Sequence, residues 1–135
     1  MSMNRKEILK RMAKLVFFIF ILNFIAGKLS WYISIWYFDM PMHFLGGVFV
    51  GLLSIYLSKY IKLDFFNLNF KKQLLYIFLF TLIVGVGWEI FEFIFNNVIG
   101  GQYFNTLDTI SDICFDLAGG FFSFLYIVKK NRKVV

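Results

Sequence analysis

Four apolar runs divide the chain, each close to the roughly 20 residues that a helix needs to cross the hydrocarbon of a bilayer. They cover residues 8–27, 41–60, 73–95 and 107–128, and few polar side chains interrupt them. The pattern predicts an all-α fold: four transmembrane helices packed as one bundle, a single domain over residues 1–135. Residues 28–38 carry Trp31, Tyr32, Trp36 and Tyr37, which suit the headgroup region or a continuation of the first helix. The interfacial placement is the better fit. The connections at 61–72 and 96–106, the latter with Gly100-Gly101, read as turns.

The polar positions ahead of the first run imitate a secretory signal, because Arg5, Lys6, Lys10, Arg11 and Lys14 precede the apolar residues 15–26. No small-x-small cleavage pattern follows, and the chain continues into the bulky Trp31 and Tyr32. The segment is expected to stay as an anchor whose early lysines snorkel to the interface.

Composition agrees with the periodicity. Hydrophobic residues make up 60% of the chain, aromatic residues 22% and charged residues only 16%, and the mean hydropathy is +0.74, outside the range of a water-soluble domain. A single proline leaves little room for linkers. The one cysteine, Cys114, cannot form an intrachain disulfide and is expected to pack. A net charge of +6 would suggest nucleic acid in a soluble protein, but its distribution has another cause. Five basic residues lie near the N-terminus, four (Lys59, Lys62, Lys71, Lys72) flank the second connection and four (Lys129, Lys130, Arg132, Lys133) follow the last run, leaving Lys28 alone on the other side. This is the positive-inside pattern of an even number of spans with both termini in the cytoplasm. No nucleic-acid partner is needed.

The acidic residues carry the chemistry. Only Glu7 and Asp64 fall on the basic side; Asp39, Glu89, Glu92, Asp108, Asp112 and Asp116 share the other half with His43, the only histidine. Asp39 and His43 are spaced i,i+4, Glu89 and Glu92 i,i+3, and Asp108, Asp112 and Asp116 i,i+4,i+8, so each set occupies one helix face. A charge in a membrane helix costs about 2.5 to 3.5 kcal/mol on insertion scales and normally faces the bundle interior. Three converging faces would crowd like charges that need compensation by protons, a metal ion or a cationic ligand. An oxygen-rich set with one imidazole suits Mg²⁺, Mn²⁺ or Ca²⁺ better than Zn²⁺, and resembles in inventory the carboxylate sites of di-iron and di-manganese bundles. The expected metal ligands are Asp39, His43, Glu89, Glu92, Asp108, Asp112 and Asp116, with His43, Glu89 and Glu92 as candidate catalytic groups.

Plainer roles compete at several positions. Asp39 before Met40-Pro41 suits an N-cap, and Asp108 suits a first-turn acid complementing the helix dipole. His43 could hydrogen-bond a neighbouring carbonyl. Glu89, Glu92, Asp112 and Asp116 lie too deep to cap, so their plain role is a structural network. Gly47 and Gly51, extended by Ser54 and Ser58, form a small-residue face, and Gly46, Gly119 and Gly120 permit close backbone approach. Trp88 suits either the site or the interface.

The pattern Asp39-x-x-x-His43-Phe-x-Gly46-Gly47, Trp88-Glu89-x-x-Glu92 and Asp108-Thr109-x-x-Asp112-x-x-x-Asp116-x-x-Gly119-Gly120 resembles the YjdF-like small bacterial inner-membrane proteins and, more distantly, the VanZ-like proteins associated with teicoplanin resistance. The resemblance covers residues 39–120. Against the VanZ pattern, Met40 stands for a lysine, Ile90 for a glutamine and Asp116 for an asparagine. What it implies is a shared acidic site without a reaction to inherit.

Three functions follow. The leading expectation is a multi-pass protein of the cytoplasmic (inner) membrane whose metal site, in the outer-leaflet half, binds or acts on an anionic lipid-linked phosphate, as a hydrolase or transferase. The second is a cation or proton transporter using the acids as a relay, for which four spans would call for a homo-oligomer. The third is a non-catalytic accessory subunit.

Overall fold

A computed structural model of the chain describes residues 5–95 and 105–132, and the regular elements among them are all helices. Five helices follow one another: α1 (Arg5–Lys28), α2 (Trp31–Ser34), α3 (Asp39–Ser58), α4 (Phe70–Phe95) and α5 (Thr106–Arg132), with one 3₁₀ turn at Phe65–Asn67. The expected turn at Gly100-Gly101 lies outside the described residues.

Three helices, not four, meet the length and hydropathy of a membrane span: Asp39–Ser58, Phe70–Phe95 and Thr106–Lys130. The first helix forms as expected but falls short, because its opening turns carry Arg5, Lys6, Glu7, Lys10, Arg11 and Lys14. Its apolar residues 15–26 reach only about 18 Å at 1.5 Å per residue, against the roughly 30 Å of a hydrocarbon core. The aromatic segment does not continue this helix. A break at Ser30, whose φ of 54° is left-handed, ends it, and the short α2 follows. Phe38 is buried under the edges of Trp31 and Tyr32, with ring centroids 5.4 and 5.0 Å away, and the Tyr32 hydroxyl donates to Asn23 Oδ1 at 2.8 Å.

Asparagines start the long helices. Asn69 Oδ1 accepts from Lys72 N at 2.9 Å ahead of α4, and Asn105 Oδ1 accepts from Leu107 N at 3.2 Å ahead of α5, each satisfying an N–H that the helix leaves free. Asp39 does not cap α3. Phe38 occupies that position, no side-chain cap bond forms, and Asp39 is already within the first turn.

The helices alternate in direction, which brings the start of α1, the end of α3, the start of α4 and the end of α5 to one end of the bundle. Contacts there tie the elements together: Glu7 on α1 pairs with Arg11 at 2.8 Å and with Lys130 on α5, and the Arg5 guanidinium lies 4.3 Å from the centroids of both Tyr56 and Tyr60. Beneath this basic end lies the hydrocarbon core, formed by Ile8, Met12, Leu52, Ile55, Phe65, Ile77, Phe124 and Ile127.

Midway along, α3 and α5 meet backbone to backbone. A Cβ on Gly47 would run into the Asp116 carbonyl, and one on Gly119 into the Phe44 carbonyl and, at 2.7 Å, Val48 N. Gly51 and Gly120 continue the seam, where an added Cβ at Gly51 would lie 3.2 Å from Gly120 Cα. The small-residue face expected from the sequence is this seam. Ser54, Ser58 and Ser123 are buried beside it with their hydroxyls bonded back to their own helices at 2.7–2.8 Å, so they add no polar burden. Cys114 is exposed on α5 rather than packed, because the seam is formed by another face of that helix.

Candidate metal centre at the acidic end

The register imposed by the glycine seam places His43 of α3 opposite Asp112 and Asp116 of α5. Spacing by one helical turn on each side then determines the contacts. His43 Nε2 lies 3.8 Å from Asp39 Oδ2, one turn earlier on its own helix, and 3.9 Å from Asp112 Oδ2. Nδ1 lies 3.4 Å from Asp116 Oδ1. The imidazole is therefore held between carboxylates on both ring nitrogens, in a site where His43, Asp112 and Asp116 are buried.

The third wall is α4. Its buried positions Ile77, Thr81, Gly85 and Glu89 recur every four residues and face the α3–α5 pair. Gly85 is small for a reason: a Cβ there would come within 2.8 Å of Asp116 Oδ2. One turn on, Glu89 is only 9% exposed and its Oε1 is buried without a hydrogen-bond partner. Such an orphan costs about 1–3 kcal/mol, more when charged.

Two sets of ligand atoms emerge, Asp39–His43–Asp112 and His43–Glu89–Glu92, each with its atoms within 4.8 Å of one another. They share His43. Ligand atoms lie about 2.3–2.6 Å from Ca²⁺ and about 2.0–2.1 Å from Mg²⁺, so each set would have to draw inward to share one ion, less for Ca²⁺ than for Mg²⁺. Positive charge from the chain is scarce here. Among the described residues, the ion pairs of Asp39, Asp112 and Asp116 are all with His43, and the Lys28 ammonium lies instead over the Phe24 ring at 5.8 Å.

A cavity of about 680 Å³ adjoins the cluster between α1, α3 and α4. Asp39, His43, Glu92 and Asp116 line one part of it, and Val16, Ile19, Phe49, Val50 and Val84 another. A polar end and an apolar stem in one cavity fit an amphiphile.

The sequence profile of one family, described as a predicted membrane protein family, matches residues 1–133 and so includes the first helix as well as the acidic motifs. The chain belongs to DUF2238. This is the YjdF-like family that the motif pattern resembles, and it makes the chain a membrane protein. No curated protein and no solved structure matches it.

Five of the seven expected ligands of this DUF2238 chain fall in these sets, Asp39, His43, Glu89, Glu92 and Asp112, and Asp116 lies beside them against His43 Nδ1. Asp108 does not join either set. It is exposed in the first turn of α5, one turn outside Asp112, where an acid complements the helix dipole. Trp88 lines the cavity and is half-exposed. Sequence reasoning missed Gly85, Asn23 and Tyr32. The four-residue recurrence on α4 points to Gly85, and Asn23 is a polar residue inside the apolar run 15–26.

Proposed function

We propose that the protein binds a divalent metal ion at the acidic end of the bundle and uses it to hold the phosphate of an anionic, lipid-linked substrate. The observation that carries this reading is Glu89, a buried carboxylate with an unpartnered oxygen, beside a histidine and carboxylates from two other helices. Among the described residues Asp39, Asp112 and Asp116 pair only with His43; carboxylates crowded in this way need compensation, and a hard cation would supply it. Nε2 faces Asp39 and Asp112 and is the ligand atom. Nδ1 faces Asp116, which makes Asp116 a positioning residue that fixes the tautomer, as carboxylates behind metal-bound histidines do. Mn²⁺ satisfies the mixed set best, since carboxylate bundles with histidine hold it. A bound ion would neutralise phosphate oxygens and lower the pKa of a bound water, the chemistry of a hydrolase or transferase. The cavity supports a lipid, because its apolar walls adjoin the acids.

The basic end is read as cytoplasmic and the metal centre as lying in the outer half of the inner membrane, with α1 as a fourth, short span. The clustering of basic residues at that end supports this orientation. The more distant VanZ-like resemblance implies the same acidic site.

Elemental analysis of detergent-purified protein tests the reading. Wild type is expected to carry stoichiometric metal, and Asp112→Asn and Glu89→Gln to lose it while eluting as wild type does in size exclusion. Metal-free wild type that takes up no Mn²⁺, Mg²⁺ or Ca²⁺ on titration overturns it.

A further inference from the structure

The cavity beside the metal centre is open in a particular direction. At the basic end α1 buries Ile8 and Met12 in the core it shares with α3, and at the acidic end it is tied to the aromatic segment by the Tyr32–Asn23 hydrogen bond. Between those points α1 packs on α3 and makes no comparable approach to α4, so the cavity occupies the gap between them. Val16 on one wall and Val84 on the other are 46% and 39% exposed, which leaves the slot facing sideways, where hydrocarbon surrounds a membrane helix. A soluble phosphate would have no use for such an opening.

Asn23 adds the second component. It lines the same cavity as Asp39 and Glu92, and because the Tyr32 hydroxyl donates to Oδ1 at 2.8 Å, its amide is turned so that Nδ2, with two N–H donors, is the group left for a ligand. At the mouth of an acidic site, a neutral donor favours an anion where a second carboxylate would repel it.

Resting on the metal-centre reading above, we propose that the α1–α4 slot takes one hydrocarbon chain of a phosphate-headed lipid that enters sideways from the bilayer, with its phosphate held between the metal ion and Asn23 Nδ2. The ligand class is thereby a membrane-embedded phosphate ester, with the chain as part of what is recognised. Asn23 contacts the ligand and not the metal, so its loss separates lipid binding from metal binding.

The test uses the full chain in phosphatidylcholine nanodiscs doped with phosphatidic acid, followed by detergent exchange. Bound phosphatidic acid is read by native mass spectrometry and metal by elemental analysis. Wild type is expected to retain a single phosphatidic acid per chain, and free glycerol 3-phosphate is expected not to displace it. Val16→Trp and Val84→Trp fill the slot from opposite walls at exposed positions, so each is expected to fold, to keep its metal and to lower retention about tenfold; Asn23→Leu is expected to lower it several-fold. Wild-type retention in both tryptophan variants, or displacement by glycerol 3-phosphate, overturns the slot proposal while leaving the metal centre standing. Phosphatidic acid that stays bound to wild type lacking any metal overturns the bridging role and strikes the metal-centre reading instead.

Discussion

The two ends of the bundle are made by the same four long helices and differ in what fills them. At the basic end, Ile8, Met12, Leu52, Ile55, Phe65, Ile77, Phe124 and Ile127 form a hydrocarbon core, with a cavity of about 350 Å³ beside Ile8, Ile55 and Phe65. The charges above it make contacts within the chain, Glu7 with Arg11 and Lys130, and Arg5 with the faces of Tyr56 and Tyr60, while Arg5 Nε and Nη2 and Arg11 Nε are buried without a hydrogen-bond partner. At the acidic end the interior holds carboxylates around one histidine, an orphaned Glu89 oxygen and a cavity of about 680 Å³. Apolar packing dominates the basic end, whereas the acidic end gathers carboxylates whose charge, in the metal-binding reading proposed above, a cation would balance. The apolar core and the acidic cluster thus lie toward opposite ends of the bundle, with the glycine seam of α3 and α5 between them.

The largest effect that would sharpen this contrast comes from Phe124→Ala. The ring is fully buried in the core, and truncations of this kind cost about 3–5 kcal/mol. Thermal unfolding in detergent should show a large fall in midpoint with metal content per folded chain unchanged. Loss of metal from folded protein would show that the two ends are not independent.

Next in size is the metal itself. An ion that binds only the folded state stabilises it by about 2.7 kcal/mol at a hundredfold excess over its dissociation constant. Chelation should therefore lower the midpoint of wild type and leave Asp112→Asn unmoved. Equal shifts in both proteins would break the comparison at the acidic end.

A smaller effect tests the seam. Gly47→Ala places a methyl group against the Asp116 carbonyl, and overpacking of this type costs about 1–3 kcal/mol. Because the same contact sets the height of Asp116 against His43, metal affinity should fall together with stability. Stability lost at unchanged affinity would show that the seam does not set the register of the site.

The smallest effect belongs to the surface of the basic end. Hydrogen bonds from Arg11 and Lys130 hold the Glu7 carboxyl below its ordinary value of 4.5. A carboxyl with a lowered folded pKa contributes stability above its unfolded value, and that contribution is lost as pH falls through the folded value. Midpoints of wild type and Glu7→Gln should therefore differ slightly at neutral pH and converge as the pH falls through the lowered folded value of Glu7.

Much of this division was legible in the linear pattern. The apolar runs marked α3, α4 and α5, and four-residue spacing marked Asp39 with His43 and Asp112 with Asp116, because a helix turns a repeat in sequence into a shared face. Asp108 has the same spacing and ends outside, since a stripe along a helix leaves the bundle once the helix does. The first helix reads as an ordinary span only if its early lysines snorkel, and its uninterrupted apolar part covers only residues 15–26. Gly85 and Asn23 are hidden in the sequence for a different reason. Phenylalanine, leucine and isoleucine surround these helices on nearly every side, as membrane helices require, so hydrophobicity alone carries little phase to say which glycine or amide turns inward. The break at Ser30 was equally hidden, since a left-handed serine has no signature comparable to glycine.

The backbone contact between α3 and α5 has one more consequence. Helices interlocked through Gly47 and Gly119 cannot rotate or slide past each other without collision, so His43, Asp112 and Asp116 keep their heights through any opening of the molecule. The first helix, which packs along α3 and approaches α4 far less, lies outside this interlock.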